Sequence, residues 1–248
     1  MVVRASAVLT RPRLEATLAA LLVGVVLWEA YAGELPELSD GWDVALTALV
    51  LIPWTFAVIL VALPLADARW IIAIALATGV LAVLLELADA DALFNAAKLV
   101  AFCLAGFAFL SLFEALSWVV LVSVIIPWVD IVSVYQGPTK VVIEQEPGLF
   151  ERIAISFRLP GEDAAANIGP PDILFFALFL ATARRFGLRV GWTWIGMTGL
   201  LALTLVATYV LEIDGLPALP AVSLGFLLPN ADVLWRAWRR HRAAVDAS

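Results

Sequence analysis

Ser117-Trp-Val-Val-Leu-Val-Ser-Val-Ile-Ile-Pro-Trp-Val-Asp-Ile-Val-Ser-Val134 decides the fold class. A hydrocarbon layer about 30 Å thick needs roughly 20 apolar residues in a helix, and this run approaches that length with a single charge, Asp130. Moved outward along the chain, the same ruler gives predicted spans at about 14–32, 44–65, 69–88, 92–113, 115–135, 166–186, 191–212 and 216–236. Composition agrees with that reading. Of the 248 residues 63% are apolar and 15% charged, against about 45–50% and about 25% in soluble domains. The predicted fold is an all-α polytopic transmembrane helix bundle of about eight spans. It forms one membrane domain, with helices one to five in 1–135, a hydrophilic loop at 136–165, and helices six to eight with a basic tail in 166–248. No internal repeat is visible, so the inverted-repeat plan of many transporters finds no support.

Charge sets the orientation. Arg4, Arg11 and Arg13 precede the first span, Arg69 opens the third, Arg184, Arg185 and Arg189 follow the sixth, and Arg236, Arg239, Arg240 and Arg242 follow the eighth. Eight spans put all of these on one side, which the positive-inside rule assigns to the cytoplasm. The opposite connections are acidic (Glu34, Glu37, Asp40, Asp43; Asp89, Asp91; Glu212, Asp214), and the 136–165 loop falls with them. The expected location is the cell membrane, with both termini cytoplasmic and the loop outside. Arg11, Arg13 and the apolar stretch to Ala30-Tyr-Ala32 also fit a cleavable signal peptide, whose removal would leave the remaining topology unchanged.

The same counts exclude several functions. A net charge of −7 lacks the basic footprint of a nucleic-acid binder. Cys103 is the only cysteine, so no disulfide framework exists within the chain. The only histidine, His241, sits in the arginine-rich tail, so neither a zincin motif nor a histidine-based triad can be built. No metal or other cofactor is expected.

An ionisable residue inside a span costs about 2.5–3.5 kcal/mol on insertion scales and is a functional hypothesis by default. Glu86 and Lys98 lie near span ends, where long side chains snorkel or pair across the hairpin between spans three and four. Asp130 is short and closely flanked by apolar residues. It lies about 7.5 Å below Tyr135 at 1.5 Å per residue, and it is read either as a site residue or as a carboxylate bonded to a neighbouring helix. Ile173 to Ala183 is too short to cross, so the sixth span must include Asn167-Ile-Gly-Pro-Pro-Asp172. Proline-bearing, non-helical backbone at that depth requires surrounding protein or water. Asp172 also fits a plain helix start, with proline in the first turn and a carboxylate near the N-terminus. Leu216-Pro-Ala-Leu-Pro220 opens span eight with two prolines that remove backbone donors.

Parity puts Asp130, Asp172 and the Pro-Ala-Leu-Pro entrance at the same membrane face and at similar depth. Two neighbouring carboxylates share one proton. The ionised member then takes a proton from attacking water, while its partner donates to the carbonyl oxygen.

At these residues the chain resembles the presenilin and signal peptide peptidase family of intramembrane aspartyl proteases, as a divergent member. Asp130-Ile-Val-Ser-Val-Tyr-Gln-Gly-Pro-Thr-Lys-Val-Val-Ile-Glu144 is similar to the stretch that begins at the family's first catalytic aspartate. Gly169-Pro-Pro-Asp172 is similar to its Gly-x-Gly-Asp motif, and Leu216-Pro-Ala-Leu-Pro220-Ala-Val-Ser-Leu-Gly225 to its Pro-Ala-Leu motif. The resemblance covers roughly 120–230 and keeps the family's order. It implies Asp130 and Asp172 as the catalytic pair, with Gly169, Pro170, Pro171, Pro217, Ala218, Leu219 and Pro220 shaping the site. Three departures stand out. Val129 replaces the usual tyrosine, Pro171 replaces the second motif glycine, and eight spans stand where the family usually has nine.

The implied activity is that of an aspartic endopeptidase acting on single-pass transmembrane proteins or signal peptides within the bilayer. An unwound substrate segment can pair with an edge strand. Val141-Val-Ile-Glu144 and Arg152-Ile-Ala-Ile-Ser-Phe-Arg158 are candidate strands, with Val141, Ile143, Ile153 and Ile155 facing substrate; an amphipathic surface segment is the other reading of this loop. Two alternatives remain open. One is a catalytically inactive, presenilin-like protein that binds membrane helices, with Pro171 as the disabling change. The other is a proton-coupled transporter that uses the two aspartates as relay groups.

Overall fold

A computed structural model describes residues 11–136, 152–162, 164–213 and 216–246. Val141 and Ile143 lie outside the described residues. Among the described residues the chain is a helical bundle. Helix α1 is Arg11–Tyr31; α2 runs through Asp40–Leu46, a π turn Thr47–Leu51 and Ile52–Ala62; α3 is Ile71–Leu87; α4 is Asp91–Phe109. Helix α5 is Leu116–Gln136, α6 is Pro170–Arg185, α7 is Val190–Val210 and α8 is Leu219–Asp246. A hairpin of β1 (Ile155–Arg158) and β2 (Ala165–Ile168) precedes α6.

Among the described residues five segments, Pro12–Glu34, Asp40–Asp67, Asp91–Leu112, Leu116–Tyr135 and Val190–Val210, are long and apolar enough to cross a membrane. Helix α3 is apolar but shorter. Two expected boundaries move. Residues 166–168, expected within the sixth span, form strand, and the helix there begins at Pro170, because tandem prolines suit a first turn that needs no N–H. Helix α8 continues to Asp246, through the basic tail.

Local sequence explains the irregularities. Pro53 has no N–H for the Leu49 carbonyl and its ring crowds that group, so α2 widens into the π turn just before it. At the end of α6, Gly187 takes a φ of +67°, and Leu188 N–H reaches the Ala183 carbonyl at 2.7 Å, closing a Schellman motif. Pro229, inside α8, frees the Gly225 carbonyl, and α7 crosses there through Gly196. A Cβ on Gly225 would overlap the Met197 backbone, so that crossing depends on glycine.

The core centres on α6. Ile173, Phe176, Ala177, Leu178, Phe179, Leu180, Ala181 and Ala183 are fully buried on all sides of this helix. Phe176 stacks on Phe56 of α2, and Phe179 stacks on Phe226 of α8. Gly106 of α4 lies against the Leu174 carbonyl and Ala177, bringing α4 and α6 close together. By contrast, α3 and α5 expose large apolar side chains outward, among them Ile72, Leu76, Val80, Leu84, Trp118, Leu121, Ile125 and Val132. The first helix is tied to the rest, with Trp54 Nε1 donating to the Leu21 carbonyl at 3.3 Å.

Candidate active site

Gly169 caps α6 in extended conformation (φ −64°, ψ 144°), Pro170 and Pro171 fill the next two positions, and Asp172 is third in the helix. Asp172 N–H donates to the Gly169 carbonyl at 3.0 Å, while its carboxylate folds back to accept the Gly169 N–H. This is the N3-to-cap half of a capping box, with aspartate in place of the usual glutamate; a glycine cap has no side-chain oxygen for the other half. A Cβ at position 169 would stand 3.1 Å from Asp172 Oδ2, which accounts for a glycine there. Pro171 is exposed at a position whose N–H no helical carbonyl needs, so the stiff residue is accommodated without disturbing the turn.

Asp130 lies on α5, near its loop end and half-buried. Its Oδ2 accepts the Leu219 N–H at 3.0 Å, and the Ala218 backbone holds the same carboxylate. The first N–H groups of a helix lack intrahelical partners and carry the positive end of its dipole. Asp130 therefore supplies, from another helix, the cap that α8 lacks in its own sequence. Pro217 and Pro220 cannot donate, which leaves the donors of Ala218 and Leu219 between them. The Ala218 carbonyl in turn accepts from Ala221 N–H (3.0 Å) and Val222 N–H (3.2 Å), starting the helix. The Asp130 carboxylate lies within electrostatic reach of Asp172. Residues from 130, 169–172 and 217–220 thus meet at one end of the bundle.

The loop residues are placed differently from one another. Ile153 is exposed, whereas Ile155 points into the core with no exposed surface, so its side chain is not available to a ligand. Strands β1 and β2 are antiparallel, with Ile155 opposite Ile168 and Phe157 opposite Ala166. Leu159 N–H bonds the Ala164 carbonyl at 2.9 Å, which continues the ladder. On the far edge of β1, Ser156 N–H donates to Asn95 Oδ1 at 3.0 Å and its carbonyl accepts from Asn95 Nδ2. Arg158 N–H meets Glu29 Oε2 at 3.4 Å, and its carbonyl accepts Trp28 Nε1–H at 3.1 Å. That edge of β1 is closed. Ala165 and Asn167 of β2 alternate with the ladder residues and face the open edge.

Glu86 and Lys98 do not pair with each other across the α3–α4 hairpin. Glu86 holds Arg152 Nε at 3.1 Å, and Lys98 Nζ donates to the carbonyls of Arg152 (2.9 Å) and Ala154. Asn95, Trp28 and Glu29 carry no motif that marks them in the sequence, because their partners are backbone atoms more than 60 residues away. Among the described residues, no group of three or more His, Cys, Asp or Glu side chains is arranged to hold a metal ion. Concavities of about 520 Å³ beside Arg69, Trp70 and Ser111 and about 690 Å³ beside Asp40, Thr208 and Tyr209 open at opposite ends of the bundle, and neither borders the aspartates. No family model matches the chain, and none of the curated proteins compared with it matches.

Proposed function

We propose that the chain is a presenilin-like membrane protein, an intramembrane aspartyl protease whose Asp130 and Asp172 activate water against a peptide bond of a single-pass transmembrane helix. The observation that carries this reading is the meeting of three distant segments: Asp130 bonded to Leu219 within the Pro-Ala-Leu-Pro entrance, with Asp172 in electrostatic reach. Membrane insertion is supported by the apolar outward faces of α3 and α5, which in water would form an exposed patch far beyond what monomeric soluble proteins tolerate.

In this mechanism one carboxylate takes a proton from water as it attacks the carbonyl carbon, and the protonated partner donates to the carbonyl oxygen. Collapse of the tetrahedral species breaks the C–N bond, and the proton taken from water passes to the leaving amine. Low local dielectric strengthens both interactions. A helical substrate must first unwind, since its carbonyls are already bonded. The open edge of β2, which runs directly into Gly169 and Asp172, can then hold the extended segment. Antiparallel addition to β2 places the substrate's C-terminal flank on the loop side. With arginines inside and the loop outside, such a substrate has its N-terminus in the cytoplasm, as a signal peptide does.

Reconstitution in lipid with a panel of single-pass substrates of both orientations tests this. Wild type is expected to cut, whereas Asp130→Asn and Asp172→Asn are not. Cleavage by either variant removes the pair assignment. Binding of substrate without cleavage by wild type favours the inactive helix-binding reading. Proton flux that both variants abolish favours transport.

A further inference from the structure

Asn95 and Lys98 are buried, at 4% and 7% exposure, in a helix that packs on α6 about three turns further along, at Gly106. Buried amide and ammonium groups are costly unless fully bonded, and here both are spent on one strand. Asn95 matches Ser156 with one acceptor and one donor, as a neighbouring strand residue would, and Lys98 takes the Arg152 and Ala154 carbonyls. With Trp28 and Glu29 on Arg158, the carbonyls of 154, 156 and 158 and the N–H groups of 156 and 158 are all occupied by helix side chains. The period of two is that of a strand edge. Helices α1 and α4 therefore act as a surrogate third strand.

Helix α4 touches both halves of the site. One face holds β1 through Asn95 and Lys98, and Gly106 brings it against Leu174 and Ala177, within two turns of Asp172. The position of β2 relative to Asp172 is thus measured along α4. Resting on the protease reading, we propose that Asn95 and Lys98 are positioning residues that set the register of the β2 edge against Asp172, and so select which substrate bond is cut. Neither touches the reacting atoms. They act by holding β1, and a hairpin freed from α4 presents β2 at several offsets.

The test uses the full chain in lipid nanodiscs and reads two quantities for Asn95→Ala, Lys98→Met and Lys98→Arg. The first is hydrogen exchange of Ser156 and Phe157; the second is the mass-spectrometric map of cleavage products from one single-pass substrate. Asn95→Ala is expected to speed Ser156 exchange about tenfold, the equivalent of one lost hydrogen bond, while Phe157, bonded to β2, changes little. Its products are expected to spread to neighbouring bonds at similar total turnover. Lys98→Met spreads them likewise, and Lys98→Arg restores the wild-type map. A merely structural role lowers the amount of folded protein without moving the cut. Faster Ser156 exchange with an unchanged map overturns the proposal, as does unchanged exchange. If wild type cuts nothing, the protease reading falls, and the register role with it. The exchange result then still shows whether Asn95 clasps the hairpin.

Discussion

Asp130 Oδ2 and the backbone N–H of Leu219 are joined at 3.0 Å, so a carboxylate from α5 caps α8 across 89 positions of sequence. The contact gives Asp130 a structural duty that is separable from any chemical one. Losing a capping oxygen costs about 0.5–2 kcal/mol. Asp130→Asn keeps an acceptor for Leu219, so its thermal unfolding should stay close to wild type while cleavage is lost. Asp130→Ala should lose cleavage and also that much stability. Equal melting of the two variants would show that the cap contributes little.

Gly169→Ala forces a Cβ to within 3.1 Å of Asp172 Oδ2. The carboxylate must give by a few tenths of an ångström, and catalysis is steep in position, with about 1 Å costing on the order of a hundredfold. Turnover should fall on the order of tenfold at nearly unchanged stability, measured as initial rate against melting temperature. An unchanged rate would place the reacting carboxylate elsewhere.

Pro171 stands where the related motif has glycine, yet it occupies a helix position that needs no N–H and sits exposed at the surface. Pro171→Gly restores the motif but frees the unfolded chain, a loss of about 1 kcal/mol. The variant should melt lower and cut no faster. A large gain in turnover would identify Pro171 as the disabling change and support the inactive reading of the natural chain.

The extent to which the sequence foretold this arrangement differs by element. Helix positions follow from local composition, so the eight predicted runs overlap α1 through α8, and among the described residues five of these segments are long and apolar enough to cross a membrane. The central helix was harder to read. Ile173 to Ala183 looks too short for a span, and burial on every side of α6 erases the periodicity that would reveal a face. Arg152–Arg158 alternates visibly, but Ala165-Ala-Asn-Ile168 does not, so in the sequence β2 reads as the start of a span. The partners of Lys98 were illegible for a different reason. Pattern reports which residues share a face, whereas a strand edge closed by side chains of two helices is a tertiary fact with no local period. The convergence of Asp130 with Leu219 was approachable only because short connections fix helix parity.

Gly225 packs directly on the backbone of Met197, where α7 and α8 cross beside Pro229. Gly225→Ala has no flexible side chain to push aside, so the helices must separate. Overpacking of this kind costs about 1–3 kcal/mol. A drop in melting temperature is expected together with slower cleavage, since α8 carries the Ala218–Leu219 donors to Asp130. Gly199→Ala on α7, where a Cβ meets nothing within 4 Å, is the control and should melt no lower, with cleavage unchanged. Alanine favours a helix over glycine, so a loss in the control equal to that in Gly225→Ala would mean that the crossing is not what is being measured.

The two edges of the hairpin make opposite predictions for proline. At Phe157 the N–H belongs to the β1–β2 ladder, so Phe157→Pro should unravel the hairpin and abolish cleavage through misfolding. At Ala165, the first residue of β2, the N–H faces the open edge, and proline is tolerated at such a position. Ala165→Pro should therefore leave melting and the exchange of Phe157 unchanged while removing one donor to an added substrate strand. One backbone hydrogen bond is worth about 0.5–1.5 kcal/mol, so kcat/KM should fall by roughly two- to tenfold, mainly through KM. Removing the same donor by an ester-for-amide replacement at residue 165 should reproduce the loss without altering the side chain of Ala165. Full activity in both would mean that substrate does not pair with β2, and the extended segment would then have to be held at the α8 entrance alone.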